Sequence, residues 1–417
     1  MTAPPEPRNK QRPTRVPPAP RNRLADAGLT LLVSLALGVY LATAFASCAS
    51  PHATATPAEP LTPPPPRPET SQADALPRPV LGVSINLYHL EDHHRLTATI
   101  DRIADLGFNT LQVVTPIFQR DGAAARPARL IAPGRGPTDD TLRLALTHAR
   151  QRGLATALMM QVNFTHPRGN EWRGKLLPPD WPAWWDGYRD ALTDYADLAA
   201  AADTTAFSVG CELLTTQQPS QADAWRTTIA LARDRFPGTL YYSTNWDAFA
   251  SFPRWLDLDT IGISGYWDLT THADDADQPT DRELLDRWQA IQQDLAAFAD
   301  RLGRPLLVTE VGYPALPWAL RDPWNYLLGD ATLDTDAQAR AYRTLAAAWS
   351  PLLIADNDSP LIGLVLYEWD LYHDPATHTG YALDRPDTLD AIAPLLHAAR
   401  PTPTTLNPSH QADPEPR

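Results

Sequence analysis

Two cysteines in 417 residues rule out a disulfide framework, so a fold of this length must be held together by packing. Positive charge is also scarce: 35 Lys and Arg stand against 49 Asp and Glu, a formal net charge of −14. That balance excludes nucleic acid as a partner, because phosphate binding needs clustered basic side chains. A neutral or small cationic substrate fits the field better. No Gly-x-Gly-x-x-Gly follows the first apolar strand, which removes the main reason to expect an open dinucleotide-binding sheet. Ser208 lies in Phe207-Ser208-Val209-Gly210, which is not the Gly-x-Ser-x-Gly elbow of a serine hydrolase. No local signature gives Cys211 the His or Asn partner of a cysteine nucleophile.

Proline is plentiful, and its placement divides the chain. The 43 prolines crowd toward both ends, marking residues 1–79 and 401–417 as segments that do not join a packed core. Residues 1–28 carry Arg8, Lys10, Arg12, Arg15, Arg21 and Arg23. Residues 29–47 then run without a single charge, at ~19 residues close to the ~20 that cross a hydrocarbon core as a helix. The basic flank predicts a cytoplasmic N-terminal side, with everything that follows outside the cytoplasm. Two anchors fit residues 29–48: an uncleaved signal anchor, or a signal peptide cut before Cys48 and lipid-modified there. Phe45-Ala46-Ser47-Cys48 resembles the bacterial lipoprotein box. Residues 49–79 form a Pro-rich, semi-rigid linker.

From Val80 the texture changes to short apolar runs alternating with amphipathic stretches. Strands are predicted at 80–88, 109–117, 154–163, 205–212, 239–246, 260–266, 305–311 and 361–369. Helices are predicted at 95–106, 141–152, 185–202, 221–235, 281–302 and 336–349, with Gly107 and Gly153 as stop signals. Between the fifth and sixth strands only 252–256 is a helical candidate. Eight strands with intervening helices over residues 80–400 predict one (β/α)8 barrel.

A barrel gathers its functional groups at the C-terminal strand ends. Here apolar strands end in polar cargo: Gln161 and Asn163 on the third, Glu212 on the fourth, Asn245-Trp246 on the fifth, Tyr266-Trp267 on the sixth, Glu310 on the seventh, Glu368-Trp369-Asp370 on the eighth. A carboxylate closing an apolar strand is costly unless it is paired or used. Strands four and seven face each other across the mouth, so Glu212 and Glu310 can flank a scissile glycosidic bond. That reaction needs one carboxyl to protonate the leaving oxygen and another to attack or activate water.

The segments Val209-Gly210-Cys211-Glu212-Leu213 and Leu307-Val308-Thr309-Glu310-Val311-Gly312-Tyr313 resemble clan A of the glycoside hydrolases, and within it family 113. The resemblance runs from about Val80 to Ala399. It implies a retaining β-glycosidase, endo-β-1,4-mannanase-like, with Glu212 as acid/base and Glu310 as nucleophile. It further implies that Tyr266 hydrogen-bonds the nucleophile and that Trp369 forms the platform under the sugar. Many clan members carry asparagine just before the acid/base, at the sugar 2-hydroxyl. This chain has Cys211, a weak hydrogen-bond partner. A catalytically weakened carbohydrate-binding protein of the cell envelope is therefore the alternative.

The remaining candidates carry less weight. Asn163, Asn245 and Trp246 face the mouth as sugar-hydroxyl or stacking contacts. Trp172, Trp181, Trp184, Trp185, Trp318 and Trp324 are candidates for subsites or for core and loop anchors. His89, Asp92, His93 and His94 read as a solvated helix start, so no metal is expected. No cofactor is implied, since two carboxyls suffice. The pair is expected to titrate in coupled steps, with the proton of the acid retained to higher pH.

Overall fold

A computed structural model describes residues 75–271, 278–326, 331–354 and 358–400. The predicted basic segment, the anchor, nearly all of the linker and the C-terminal tail lie outside the described residues. Eight parallel strands close into a barrel in sequence order, β1 pairing with both β2 and β8. They are β1 (Val80–Asn86), β2 (Thr110–Gln119), β3 (Ala155–Phe164), β4 (Ala206–Cys211), β5 (Thr239–Asn245), β6 (Thr260–Ser264), β7 (Leu306–Val311) and β8 (Leu361–Leu366).

Around it lie seven α-helices among the described residues: α1 (His93–Leu106), α2 (Asp139–Gln151), α3 (Trp181–Ala201), α4 (Ala222–Arg235), α5 (Asp281–Leu302), α6 (Thr335–Trp349) and α7 (Pro386–Ala398). Their ends follow local chemistry. Thr280 and Glu283 form a reciprocal capping box at the start of α5, and Gly303 ends that helix in the left-handed conformation. Gly107 closes α1 in the same way.

Two elements depart from expectation. The β5–β6 connection holds only two short 3-10 turns, Phe249–Ser251 and Trp255–Asp257. Pro253 between them has no amide to donate and disfavours helical backbone at Phe252, so the stretch predicted as helical is interrupted. The last helix, α7, was not anticipated. It starts with Pro at its first position, where the missing amide costs nothing, and contains Pro394.

Strand residues alternate between two environments. Leu81, Val83 and Ile85 of β1, Leu111 and Val113 of β2, and Leu158 and Met160 of β3 join the large core shared with the helices. The residues between them point into the barrel. Gln112 of β2 donates to the Thr309 carbonyl of β7 at 3.0 Å, a bond that can only pass through the lumen because those strands are not neighbours. The same side chain donates to Ser84 Oγ at 2.9 Å and accepts from Tyr241 Oη at 2.9 Å. Ser243 bonds Ser264 at 2.9 Å and Thr309 at 2.5 Å. This satisfied polar layer sits directly under the β7 end and gives it a rigid floor.

Candidate active site

Glu212 follows the last residue of β4, and its backbone is left-handed, with φ +56°. Such a φ is uncommon for a non-glycine residue and persists only where the surroundings impose it. Here they do. The β4–β5 register shifts between Ser208 and Cys211, the Glu212 amide donates to Ser243 O at 2.8 Å, and the Leu213 amide donates to Tyr242 Oη at 2.9 Å. The carboxyl is buried at the mouth, with 7% of the residue exposed.

Glu310 lies within β7 and is 3% exposed. Tyr266 Oη donates to its Oε2 at 2.9 Å, and the Cys211 thiol contacts its Oε1 at 3.7 Å. Burial raises the Tyr266 phenol well above its ordinary range and the Glu310 charge adds to this, so the phenol keeps its proton and donates. Cys211 is raised by burial and then by the two glutamates, and it stays a thiol. Glu310 is pushed up to about 7, first by burial and then by the Glu212 charge. Arg173, Tyr266 and Cys211 oppose that rise.

The residue that sequence reasoning missed is Arg173. It stands on a 3-10 turn, Arg173–Lys175, in the β3–α3 connection. Its Nη1 donates to Glu212 Oε2 at 2.6 Å and its Nε to Val162 O at 3.3 Å. No feature of Glu171-Trp172-Arg173 distinguishes this arginine from a surface one; only the folded loop brings it to the mouth.

A third carboxyl lies beside the pair. Glu368, just past β8, is pushed well above the ordinary carboxylate range by burial, then by Asp370 and Glu310. Asn86 at the end of β1 donates to its Oε2 and, at 2.6 Å, to Tyr367 Oη. Glu368 stands among the polar strand ends already noted in the sequence, and the same signal could have flagged Asn86, which closes β1.

The other predicted site residues divide. Asn163 donates to Tyr88 Oη at 3.4 Å. Asn245 ends β5 with its buried Oδ1 lacking a hydrogen-bond partner among the described residues. Trp246 packs partly buried against the large core, and the Trp369 ring belongs to that core, 6% exposed. Tyr367 lies beside Tyr266, with ring centroids 6.2 Å apart, and Tyr381 completes the trio. Trp184 and Trp185 are buried against Tyr188 and Trp225 and anchor α3. Trp324 is half exposed.

His93 bonds Thr141 and Asp92 caps α1, as a helix start should. Asp370, His373 and His378 lie close enough together to be considered as metal ligands. The two rings stack at 4.1 Å and 5°, and both Nδ1 atoms face Asp370 Oδ2. His373 Nδ1 hydrogen-bonds that oxygen, while His378 Nδ1 has no hydrogen-bond partner among the described residues.

Two buried carboxyls on facing strands, one held by a tyrosine and one by an arginine, are the kind of groups that acid-assisted bond cleavage requires. Family comparison agrees: residues 97–383, more than half of the chain, match the model of Glycoside Hydrolase Family 113. The chain belongs to glycoside hydrolase family 113. A comparison with curated sequences finds no match. Among solved structures, a GH113 β-mannanase from Alicyclobacillus acidocaldarius in complex with ManMIm is 24% identical with TM-score 0.66, covering 79% of this chain and 100% of that one. A second GH113 β-1,4-mannanase is 19% identical with TM-score 0.64, covering 76% of this chain and 99% of that one. A family 5 mannosidase variant from Rhizomucor miehei is 14% identical with TM-score 0.53, covering 79% and 97%. These likenesses carry the barrel fold, and the family match makes this chain a glycoside hydrolase.

Proposed function

We propose that this glycoside hydrolase is a retaining, endo-β-1,4-mannanase-like enzyme with Glu310 as nucleophile and Glu212 as acid/base. The observation that carries the reading is the arrangement itself: Glu212 just past β4 is held by Arg173 at 2.6 Å, Tyr266 fixes one oxygen of Glu310 on β7 at 2.9 Å, and the Glu212 charge helps raise the Glu310 carboxyl. In the first step a Glu310 oxygen forms a bond to the anomeric carbon as the glycosidic C–O bond breaks. The departing oxygen takes the Glu212 proton. In the second step Glu212 removes a proton from water, water attacks the anomeric carbon, and the Glu310 ester bond breaks. Tyr266, Asn163, Asn245, Trp246, Trp369 and Cys211 are proposed to hold the sugar or the nucleophile around that centre. The β-mannanase relatives among solved structures favour mannan over other β-linked polymers.

The test is a panel of β-mannans, β-glucans and xylans offered to a protein beginning at Leu76, with products resolved by chromatography. Release of manno-oligosaccharides supports the reading. Binding without turnover favours the weakened carbohydrate-binding protein instead, and cleavage of only glucan or xylan overturns the substrate.

We further propose that the barrel is displayed outside the cytoplasm on the N-terminal segment. Its support is the basic stretch followed by the uncharged run at 29–47. Among the described residues no helix is long and apolar enough to cross a membrane. Reporter fusions placing the barrel in the cytoplasm would overturn the topology. Fatty-acid labelling with and without Cys48→Ala chooses between the two anchors.

A further inference from the structure

The connection from β8 to α7 carries a group of ligand-type side chains that the proposed hydrolysis does not use. Asp370, His373 and His378 each offer one donor atom, and the three atoms lie within 4.8 Å of one another. The Asp370 side chain is 5% exposed, and its two oxygens have separate tasks. Oδ1 accepts the backbone amides of Tyr372 at 2.7 Å and His373 at 3.1 Å, which fixes the carboxylate. Oδ2 is left to the two imidazoles, with His373 Nδ1 at 2.8 Å and His378 Nδ1 at 3.3 Å.

The backbone is folded so that the second histidine returns over the first. A turn at Asp374 closes through its carbonyl, which accepts from Thr377 N at 3.1 Å and His378 N at 3.0 Å, while its Oδ1 takes the Ala376 amide at 2.9 Å. Arg385 holds the turn from its other side through Pro375 O and His378 O. Gly380 leaves the space that the His378 ring fills, since a Cβ there would lie 2.5 Å from Cε1 and 3.0 Å from Nδ1. The ring is therefore seated by its surroundings. Its Nδ1 is nonetheless buried and makes no hydrogen bond among the described residues. A buried polar atom in that condition is costly unless something else meets it.

We propose that Asp370, His373 and His378 form a zinc site, completed by water, that braces the β8–α7 connection beside the barrel mouth. Two imidazole nitrogens and a carboxylate oxygen suit zinc, and a tetrahedral set with bonds of ~2.0–2.2 Å spaces neighbouring donors by roughly 3.3–3.6 Å. The His378 edge already has that length, and the 2.8 Å His373 edge opens by a few tenths of an ångström as the ion replaces the shared proton. The His373 Nδ1 proton passes to Nε2, so the ring binds as the other neutral tautomer. The rings, now 5° from parallel, tilt to aim both lone pairs at the ion. His373 has room to do so, with 58% of its side chain exposed, and the same opening admits the water. Asp370 Oδ1, held by two amides, supplies the outer support that orients a metal-bound carboxylate. What the ion braces lies next to the site. Tyr372, between the ligands, accepts the Tyr88 amide at 2.8 Å, and Tyr381, just beyond them, stacks edge-on with Tyr266 and Tyr367. The ion takes no part in bond cleavage, and the inference stands apart from the choice of glycan.

The experiment uses the full-length protein, purified without an affinity tag and stripped with EDTA. It is titrated with Zn²⁺ by calorimetry and with Co²⁺ by visible absorption. One equivalent of either ion is expected, and the cobalt protein should show the strong visible bands of a four-coordinate site. His373→Ala and His378→Ala should each weaken zinc binding by about 100-fold or more, since loss of an outer partner alone costs 10–100-fold. Zinc should raise the thermal midpoint of the wild type and leave both variants unmoved. His373→Ala removes a largely exposed ring, so it decides the matter where His378→Ala fails to fold. Three results would overturn the proposal. One is no binding beyond the weak, multiple association expected of exposed histidines. Another is a sulfur-to-cobalt charge-transfer band, which would put the ion on a cysteine. The third is tight binding that survives His373→Ala, which would put it on other histidines.

Discussion

At the scale of single residues the proposed mechanism divides the labour between two glutamates, and those roles can be separated experimentally. Glu310→Ala should abolish turnover of every substrate, because no glycosyl-enzyme can form. Glu212→Ala should cost about 10²–10⁴-fold on a poor leaving group and much less on a nitrophenyl glycoside, whose leaving group departs with little protonation. Azide should rescue the Glu212 variant with a β-azide product and the Glu310 variant with the α-azide. The reverse pattern would exchange the roles. Tyr266 supplies a second check. Its phenol donates to Glu310 Oε2 at 2.9 Å, and that bond lowers the carboxyl's affinity for its proton. Tyr266→Phe should therefore lower kcat/KM roughly 10–100-fold, the worth of a hydrogen bond to a charged group. It should also move the acid limb to higher pH, since Glu310 then ionises later. A limb that stays put would separate the tyrosine from the nucleophile.

At the scale of elements, the barrel closes where β8 meets β1, and one glycine makes that seam possible. Gly363 has φ +136°, and a Cβ there would fall 2.0 Å from the Val80 carbonyl oxygen. Gly363→Ala should destabilise the protein by about 2–4 kcal/mol through backbone strain and overpacking, read as a shifted denaturant midpoint with unchanged slope. A variant within about 0.5 kcal/mol of wild type would show that the seam can relax. The strands themselves were legible because each is a short apolar run between turn signals. Glu212 and Glu310 were legible because a carboxylate at the end of such a run is out of place. Arg173 was hidden because its importance depends on where a long loop folds back. Tyr367, the ring beside Tyr266, was hidden for a different reason. Alternation along β8 is broken at Gly363, with the β7–β8 register shifting there and again further on, so position along the strand does not by itself single Tyr367 out.

At the scale of the whole molecule, the site has a cost in stability that depends on pH. Glu310 is raised from 4.5 to about 7 in the folded protein, chiefly by burial. Between those values the folded chain holds a proton that the unfolded chain has released. Stability therefore falls as pH rises through that window, and the full cost is present above about 7. The shift corresponds to something on the order of 3 kcal/mol. Glu310→Gln keeps the volume and the acceptor for Tyr266 but cannot ionise, so it should be more stable than wild type at pH 8 by up to that amount. Near pH 4 both side chains are neutral and the two proteins should unfold at nearly the same denaturant concentration. The surface ion pairs are common to both proteins and cancel in the difference. The measurement is a pair of urea unfolding series at several pH values between 4 and 8. A stability gap that is constant across pH would mean that the glutamine acts through packing alone. A wild type more stable than the variant at pH 8 would mean that Arg173 and Tyr266 more than offset the burial of the Glu310 carboxylate.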